Sequence, residues 1–129
     1  MNALVSIITP SYNSAKFIAE TIQSVQNQTY PNWEMIIVDD GSSDETECVV
    51  VSIIQNDNRI QFHKLSQNSG PAVARNTGIE KASGDYMTFI DADDYWYPNF
   101  LQEIVYNINR FPELKVFSTA IEIETSKKV

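Results

Sequence analysis

The sequence predicts an α/β fold, with a mostly parallel β-sheet covered by helices. Two observations carry this. Short apolar runs of strand length alternate with segments whose apolar residues recur at helical spacing, in the order βαβαβαβαβ. At 129 residues with 43% hydrophobic and 11% aromatic content, the chain can bury a real core as a single domain spanning residues 1–129. In sheets of this kind ligands bind beyond the carboxyl ends of the strands. The polar, acidic and aromatic residues concentrate in three loops expected there: 9–14, 39–44 and 91–97.

Leu4 to Thr9 reads as the first strand and Pro10 to Ser14 as a loop. Phe17, Ile18, Ile22 and Val25 then fall at helical spacing, with Asn13 or Ser14 as the expected cap. Glu34 to Val38 is a buried-strand pattern. Asp39-Asp40-Gly41-Ser42-Ser43-Asp44 is turn chemistry, and Asp44 is placed to cap a helix running to about Gln55. Ile60 to Leu65 alternates as a third strand. Gly70-Pro71 opens a helix that Ser83-Gly84 closes, because proline suits a first helical turn and glycine a helix end. Tyr86 to Ile90 is the fourth strand. Phe100, Leu101, Ile104, Val105 and Ile108 form a helical face, and Phe117, Thr119, Ile121 and Ile123 alternate as a last strand.

Composition removes several classes of function. A net charge of −8 and a pI near 4.4 argue against binding nucleic acid, which relies on basic patches. One cysteine, Cys48, permits no internal disulfide and suits a reducing compartment. One Cys and one His exclude a Cys/His zinc site within the chain. No apolar run approaches the ~18 residues of a membrane span. The N-terminal apolar run lacks the basic flank of a signal peptide. None of the glycines forms a phosphate-binding P-loop or a Gly-x-Gly-x-x-Gly turn, and no Gly-x-Ser-x-Gly elbow occurs.

The richest stretch is Phe89-Ile90-Asp91-Ala92-Asp93-Asp94. On an extended backbone, side chains at i and i+2 point the same way, so Asp91 and Asp93 can aim two carboxylates at one point. Such oxygens suit Mg²⁺ or Mn²⁺, hard cations that also bind substrate phosphates. The competing account is a solvated turn in which Asp94 or Asn99 caps the next helix. Asp39 and Asp40 can accept from a base N–H or a ribose hydroxyl, or simply make an Asp-Gly turn. Thr9-Pro10-Ser11-Tyr12-Asn13 offers a flat Tyr12 ring to a nucleobase, or packs as a loop aromatic. At Gly70 a helix N-terminus can face an anion. Arg75 can bind phosphate or pair with an aspartate of the acidic loops. Tyr95-Trp96-Tyr97 reads as packing at the sheet edge, His63 as structural, and Lys127-Lys128 as a solvated tail.

Five segments, in order, resemble the family 2 glycosyltransferases of GT-A (Rossmann-like) fold. They are Val5–Asn13, Ser24–Tyr30, Ile37–Asp44, Gly70–Gly78 and Gly84–Asp94, and the similarity covers residues 3 to about 110. The resemblance implies a nucleotide-sugar donor, most often a UDP-sugar, and a Mn²⁺ or Mg²⁺ ion. It places Thr9, Pro10, Tyr12, Asp39, Asp40, Gly70, Arg75 and Ala92 on the donor and Asp91 and Asp93 on the metal, with Asp93 the direct ligand. It implies transfer with inversion to a hydroxyl of a saccharide or lipid-linked acceptor, in polysaccharide assembly, in the cytoplasm or at the inner membrane face.

Family members continue beyond this length and draw their catalytic base from the later part. Glu122 and Glu124 match no base motif, so no base is assigned, and the chain is expected to be the donor-binding half. The alternatives are a fragment that binds a nucleoside diphosphate without transferring anything, and a receiver-like signalling domain with an acidic Mg²⁺ pocket. A receiver's acidic pair follows its first strand, where this chain has Thr-Pro-Ser-Tyr-Asn.

Overall fold

The computed structural model describes residues 2–117. Its elements are β1 (Val5–Ser11), α1 (Ile18–Gln26), β2 (Trp33–Asp39), α2 (Thr46–Ile54), β3 (Ile60–Lys64), α3 (Pro71–Lys81), β4 (Tyr86–Phe89) and α4 (Phe100–Arg110). The strands form one sheet in the order β3-β2-β1-β4, and every pairing is parallel. The expected architecture is therefore present. The last expected strand, apart from Phe117, lies outside the described residues, as do Glu122, Glu124, Lys127 and Lys128.

Both faces of the central strands are buried, so they read as continuous apolar runs. Val5 and Ile7 of β1 join Met35 and Ile37 of β2 beneath α1, α2 and α4, with Ile22, Val50 and Leu101 completing the larger core. Ile36 and Val38 face the other way, toward Ala74 of α3. Gly78 lets α3 lie directly on β1, since a Cβ there would sit 2.5 Å from a methyl of Ile8.

β1 is longer than the apolar run suggested and takes in Pro10 and Ser11. A central strand is an unusual place for proline, which donates nothing to a ladder. The register explains it. β1 pairs with β2 through Ser11, but with β4 only through Ile8. Ile8 accepts from the Ile90 N–H on the β4 side. Pro10, two residues on, faces that same side beyond the end of β4, where no partner strand lies among the described residues.

Two expected caps differ. Asn13 does not cap α1. It adopts φ 48° and turns its amide oxygen to the N–H groups of Ser43 and Asp44. The Ser14 hydroxyl bonds the Tyr12 carbonyl instead. Asp44 does accept from the N–H of Thr46, at the start of α2.

At the amino end of the sheet, Glu34 joins three segments. Its carboxylate accepts from the Ser6 hydroxyl at 2.6 Å, the Ser83 N–H at 2.7 Å and the Ser83 hydroxyl at 2.9 Å. Burial raises the Glu34 pKa, but these bonds outweigh it and hold the carboxyl below its usual value. Asp57 is lowered too, first by its bonds from Arg59. A depressed folded pKa contributes stability above the unfolded value, about 4, which is lost as pH falls through the folded one. Stability should therefore hold between neutrality and mild acid, then fall below about pH 4. In urea titrations across that range, Glu34→Gln should flatten the acid limb; an unchanged limb would refute the assignment.

Candidate functional site

Beyond the carboxyl ends of β1, β2 and β4 lies a cleft of about 450 Å³, within the usual range for a small-molecule site. Pro10, Tyr12, Asp40, Gly70, Arg75, Asp91, Ala92 and Asp93 all line it. The structure thus brings together most of the residues expected from sequence.

Thr9 and Asp39 are the exceptions. Both are fully buried (0% exposed) and neither lines the cleft. Asp39 instead holds its own turn, accepting from the Ser42 N–H at 2.9 Å and the Ser42 hydroxyl at 2.5 Å. Sequence placed the two on the ligand because they flank the site in the chain; burial puts them behind it. Gly70 differs in role. Its N–H, expected to face an anion, is spent on an Asp40 oxygen at 2.9 Å.

Asp40 organises this side of the cleft. One oxygen accepts from the Ser69 N–H at 2.7 Å and the other from Gly70. An ionised carboxylate offers about four acceptor positions, so Asp40 keeps capacity for a ligand N–H or hydroxyl. The contact demands glycine at 41, where φ is +77° and a Cβ would lie 3.0 Å from the Asn68 nitrogen. Gly70 has φ +97° and delivers Pro71 to the first turn of α3. The first two loops are also tied to each other. The Asn13 N–H donates to the Ser42 hydroxyl and the Ser14 N–H to the Thr46 hydroxyl.

Asp91 and Asp93 also line the cleft, and one oxygen from each of Asp91, Asp93 and Asp94 lies within 4.8 Å of the others. Ligands of one octahedral Mg²⁺ sit about 3–4 Å apart, so small side-chain rotations bring this set onto a single ion. The donors are hard oxygens, and the residues fit Mg²⁺ or Mn²⁺. Burial, then the charges of Asp93 and Asp91, hold the Asp94 carboxyl above its usual range. A divalent cation would relieve that crowding. Arg75 reaches across from α3, its Nη2 3.4 Å from Asp91 Oδ1.

Helix α1 holds the acidic loop in place. The Thr21 hydroxyl reaches the carbonyls of Ala92 at 2.9 Å and Asp94 at 2.6 Å. The Ser24 hydroxyl accepts from the Trp96 N–H. Gln28 donates to the Tyr97 carbonyl at 2.8 Å and accepts from the Leu101 N–H at 2.9 Å. This is the physical role of the Ser24–Tyr30 segment. Gln28→Leu strands those partners, each worth about 1–3 kcal/mol when buried. A lowered urea midpoint is expected, together with weaker cation binding; an unchanged midpoint would show that the clamp is not needed.

Asn68 and Phe17 were not named as site residues from sequence, and Asp94 was named as a member of the acidic loop or a helix cap but not as a metal ligand. Asn68 and Phe17 line the cleft. Phe17 is 52% exposed, although its spacing with Ile18 and Ile22 suggested core. In the aromatic run beside the acidic loop, Trp96 packs as expected, stacked on Phe100 at 4.4 Å, whereas Tyr95 and Tyr97 are 43% and 55% exposed. His63 lies on β3 against Gln61, away from the cleft.

The family model for "Glycosyl transferase family 2" matches residues 6–126. The chain belongs to that family. A putative teichuronic acid biosynthesis glycosyltransferase, TuaG of Bacillus subtilis, is 48% identical over 100 residues, covering 78% of this chain and 40% of TuaG. WfgD of Escherichia coli, a UDP-Glc:α-D-GlcNAc-diphosphoundecaprenol β-1,3-glucosyltransferase, is 46% identical over 99 residues, 77% of this chain and 38% of that protein. Among solved structures, Staphylococcus aureus TarS 1-349 in complex with UDP superposes with a TM-score of 0.79 at 33% identity, covering 84% of this chain and 32% of that one. The mannosyltransferase PcManGT of Pyrobaculum calidifontis, with GDP-Man and Mn²⁺, gives 0.77 at 28% identity, covering 82% and 32%. The fold is thus that of GT-A glycosyltransferases, and the receiver-like alternative falls away. The chain spans about two-fifths of the length of these curated relatives.

Proposed function

We propose that this chain forms the donor-binding part of an inverting, cation-assisted family 2 glycosyltransferase that uses a UDP-sugar. The observation that carries the reading is that one cleft gathers two groups of side chains. One is the Asp40 carboxylate beside Pro10 and Tyr12; the other is the Asp91–Asp93–Asp94 cluster. Asp40, an acceptor, suits a base N–H, and the half-exposed Tyr12 ring suits a flat base. Asp93, with Asp91, would hold Mn²⁺ or Mg²⁺, whose charge would offset that of the departing diphosphate. Arg75 is the cationic side chain of this lining and suits the diphosphate. TarS structures with UDP and UDP-GlcNAc support a uridine donor, and PcManGT with Mn²⁺ supports the cation.

The acceptor, by analogy with WfgD, is a saccharide on a lipid diphosphate, presented at the cytoplasmic face of a membrane for polysaccharide assembly. No helix among the described residues is long and apolar enough to cross one. The base that takes the acceptor's proton belongs to the length of the relatives this chain does not span. That same coverage favours a second reading, in which these 129 residues alone bind the nucleotide without transferring sugar.

Calorimetric titration of UDP with and without Mn²⁺ tests the site. Saturable binding that Mn²⁺ strengthens is expected. No binding under any metal condition would overturn the assignment for this chain. Transfer assayed on the same sample then separates the two readings.

A further inference from the structure

Arg75 and Asp91 form an ion pair whose geometry is loose. The 3.4 Å separation is long for a charge-assisted bond, which closes to about 2.7–2.9 Å. The side chains are 41% and 54% exposed, so water competes for both. The backbone that carries Arg75, by contrast, is well anchored. It rises from α3, whose start is held by the Asp40 bonds to Ser69 and Gly70 and whose body lies on Ile8 through Gly78. The charged head is therefore exchangeable while its base is fixed.

Asp91 can serve the guanidinium or a cation better than both at once. The partners carry like charge, and their separation across one carboxylate would be short. We propose that Arg75 is an exchangeable counter-ion of the acidic loop: it neutralises Asp91 before a divalent cation arrives and yields that carboxylate to the cation. It then turns its guanidinium to the nucleoside diphosphate. This rests on the donor-site reading given above. It assigns Arg75 two effects of opposite sign, opposing the cation in the empty cleft and favouring the nucleotide in the loaded one. Cation and donor binding are then coupled through one side chain. A purely structural Arg–Asp pair has neither effect, and a plain phosphate ligand has only the second.

The test measures Mn²⁺ affinity without nucleotide, by the electron paramagnetic resonance of free Mn²⁺, in wild type, Arg75→Ala, Arg75→Gln and Lys81→Ala. Lys81 lies at the far end of α3 and controls for the bare loss of a positive charge. UDP affinity at saturating Mn²⁺ is then read by calorimetry, and thermal melting verifies that each variant is folded. Both Arg75 variants should bind Mn²⁺ about 2- to 5-fold more tightly than wild type, the scale of an exposed ion pair. They should bind UDP at saturating Mn²⁺ roughly tenfold more weakly, for want of a charge-assisted bond. Lys81→Ala should match wild type in both. Mn²⁺ affinity that is unchanged or weakened in folded Arg75 variants would overturn the proposal, as would an equal gain in Lys81→Ala. If wild type binds neither Mn²⁺ nor UDP, the donor-site reading itself fails; if it binds both and only the Arg75 effects are missing, the counter-ion role alone fails.

Discussion

Asp93→Ala is expected to abolish the Mn²⁺ dependence of UDP binding, lowering affinity in Mn²⁺ by about 100-fold or more. Loss of even an outer-shell partner of a metal ligand costs about 10- to 100-fold, and Asp93 is assigned as a direct ligand. The sign reverses without metal. The Asp91, Asp93 and Asp94 oxygens converge within 4.8 Å on a cleft expected to hold a diphosphate. Removing one such charge should leave UDP binding in EDTA unchanged or slightly stronger. The variant should also fold normally, because Asp93 is exposed and no element of the core depends on it. Calorimetry in Mn²⁺ and in EDTA, on wild type and variant, reads both signs. Mn²⁺ stimulation that survives in Asp93→Ala would remove Asp93 from the metal site.

Trp33→Ala should be the most damaging single change to the fold, costing about 3–5 kcal/mol of a total that for such domains is about 5–15 kcal/mol. Trp33 begins β2, is 2% exposed and is among the largest side chains fully enclosed by the core. Its ring also carries the Arg59 guanidinium, 3.8 Å from the centroid. That arginine ties Asp57 and the Pro31 carbonyl to the same corner. Truncation therefore opens a cavity and releases the Arg59 cluster together. The indole N–H has no partner among the described residues, so Trp33→Phe loses no hydrogen bond seen there and should cost markedly less. Urea unfolding of the two variants against wild type gives both numbers. A cost below about 1 kcal/mol for Trp33→Ala would mean that the corner repacks around the gap.

Much of the fold was legible because it rests on local pattern. The runs Val5–Ile8, interrupted only by the buried Ser6, and Met35–Val38 lack a solvent-facing polar side, as strands covered on both sides require. Pro71 and the positive-φ Gly70 announce the start of α3 from residue type alone. The acidic loop was legible from composition, with Asp91, Asp93 and Asp94 inside four residues, but not from strand alternation: β4 ends at Phe89, and a turn closed by the Asp94 N–H on the Asp91 carbonyl at 3.1 Å places the three carboxylates. Spacing failed where a side chain's fate depended on distant partners. Phe17 has helical spacing with Ile18 and Ile22, yet it faces the cleft because α1 begins only at Ile18. Asn13 looked like a helix cap, but its positive φ and the N–H groups of the second loop drew it elsewhere.

By itself, the sequence determined that this is a parallel α/β domain, that it belongs among the family 2 glycosyltransferases, and which loops carry its polar chemistry. These follow from periodicity and from motifs held within short stretches of chain. Only the tertiary structure decided which of those polar groups remain available. It turned Asp39 inward onto Ser42 and spent the Gly70 N–H on Asp40. It brought Asn68 to the cleft and set Arg75 against Asp91. The reason is that a buried polar group must find a partner wherever the fold supplies one, and both the partner of the Gly70 N–H and the exposed Arg75–Asp91 pairing join residues far apart in the chain, where no local pattern records them.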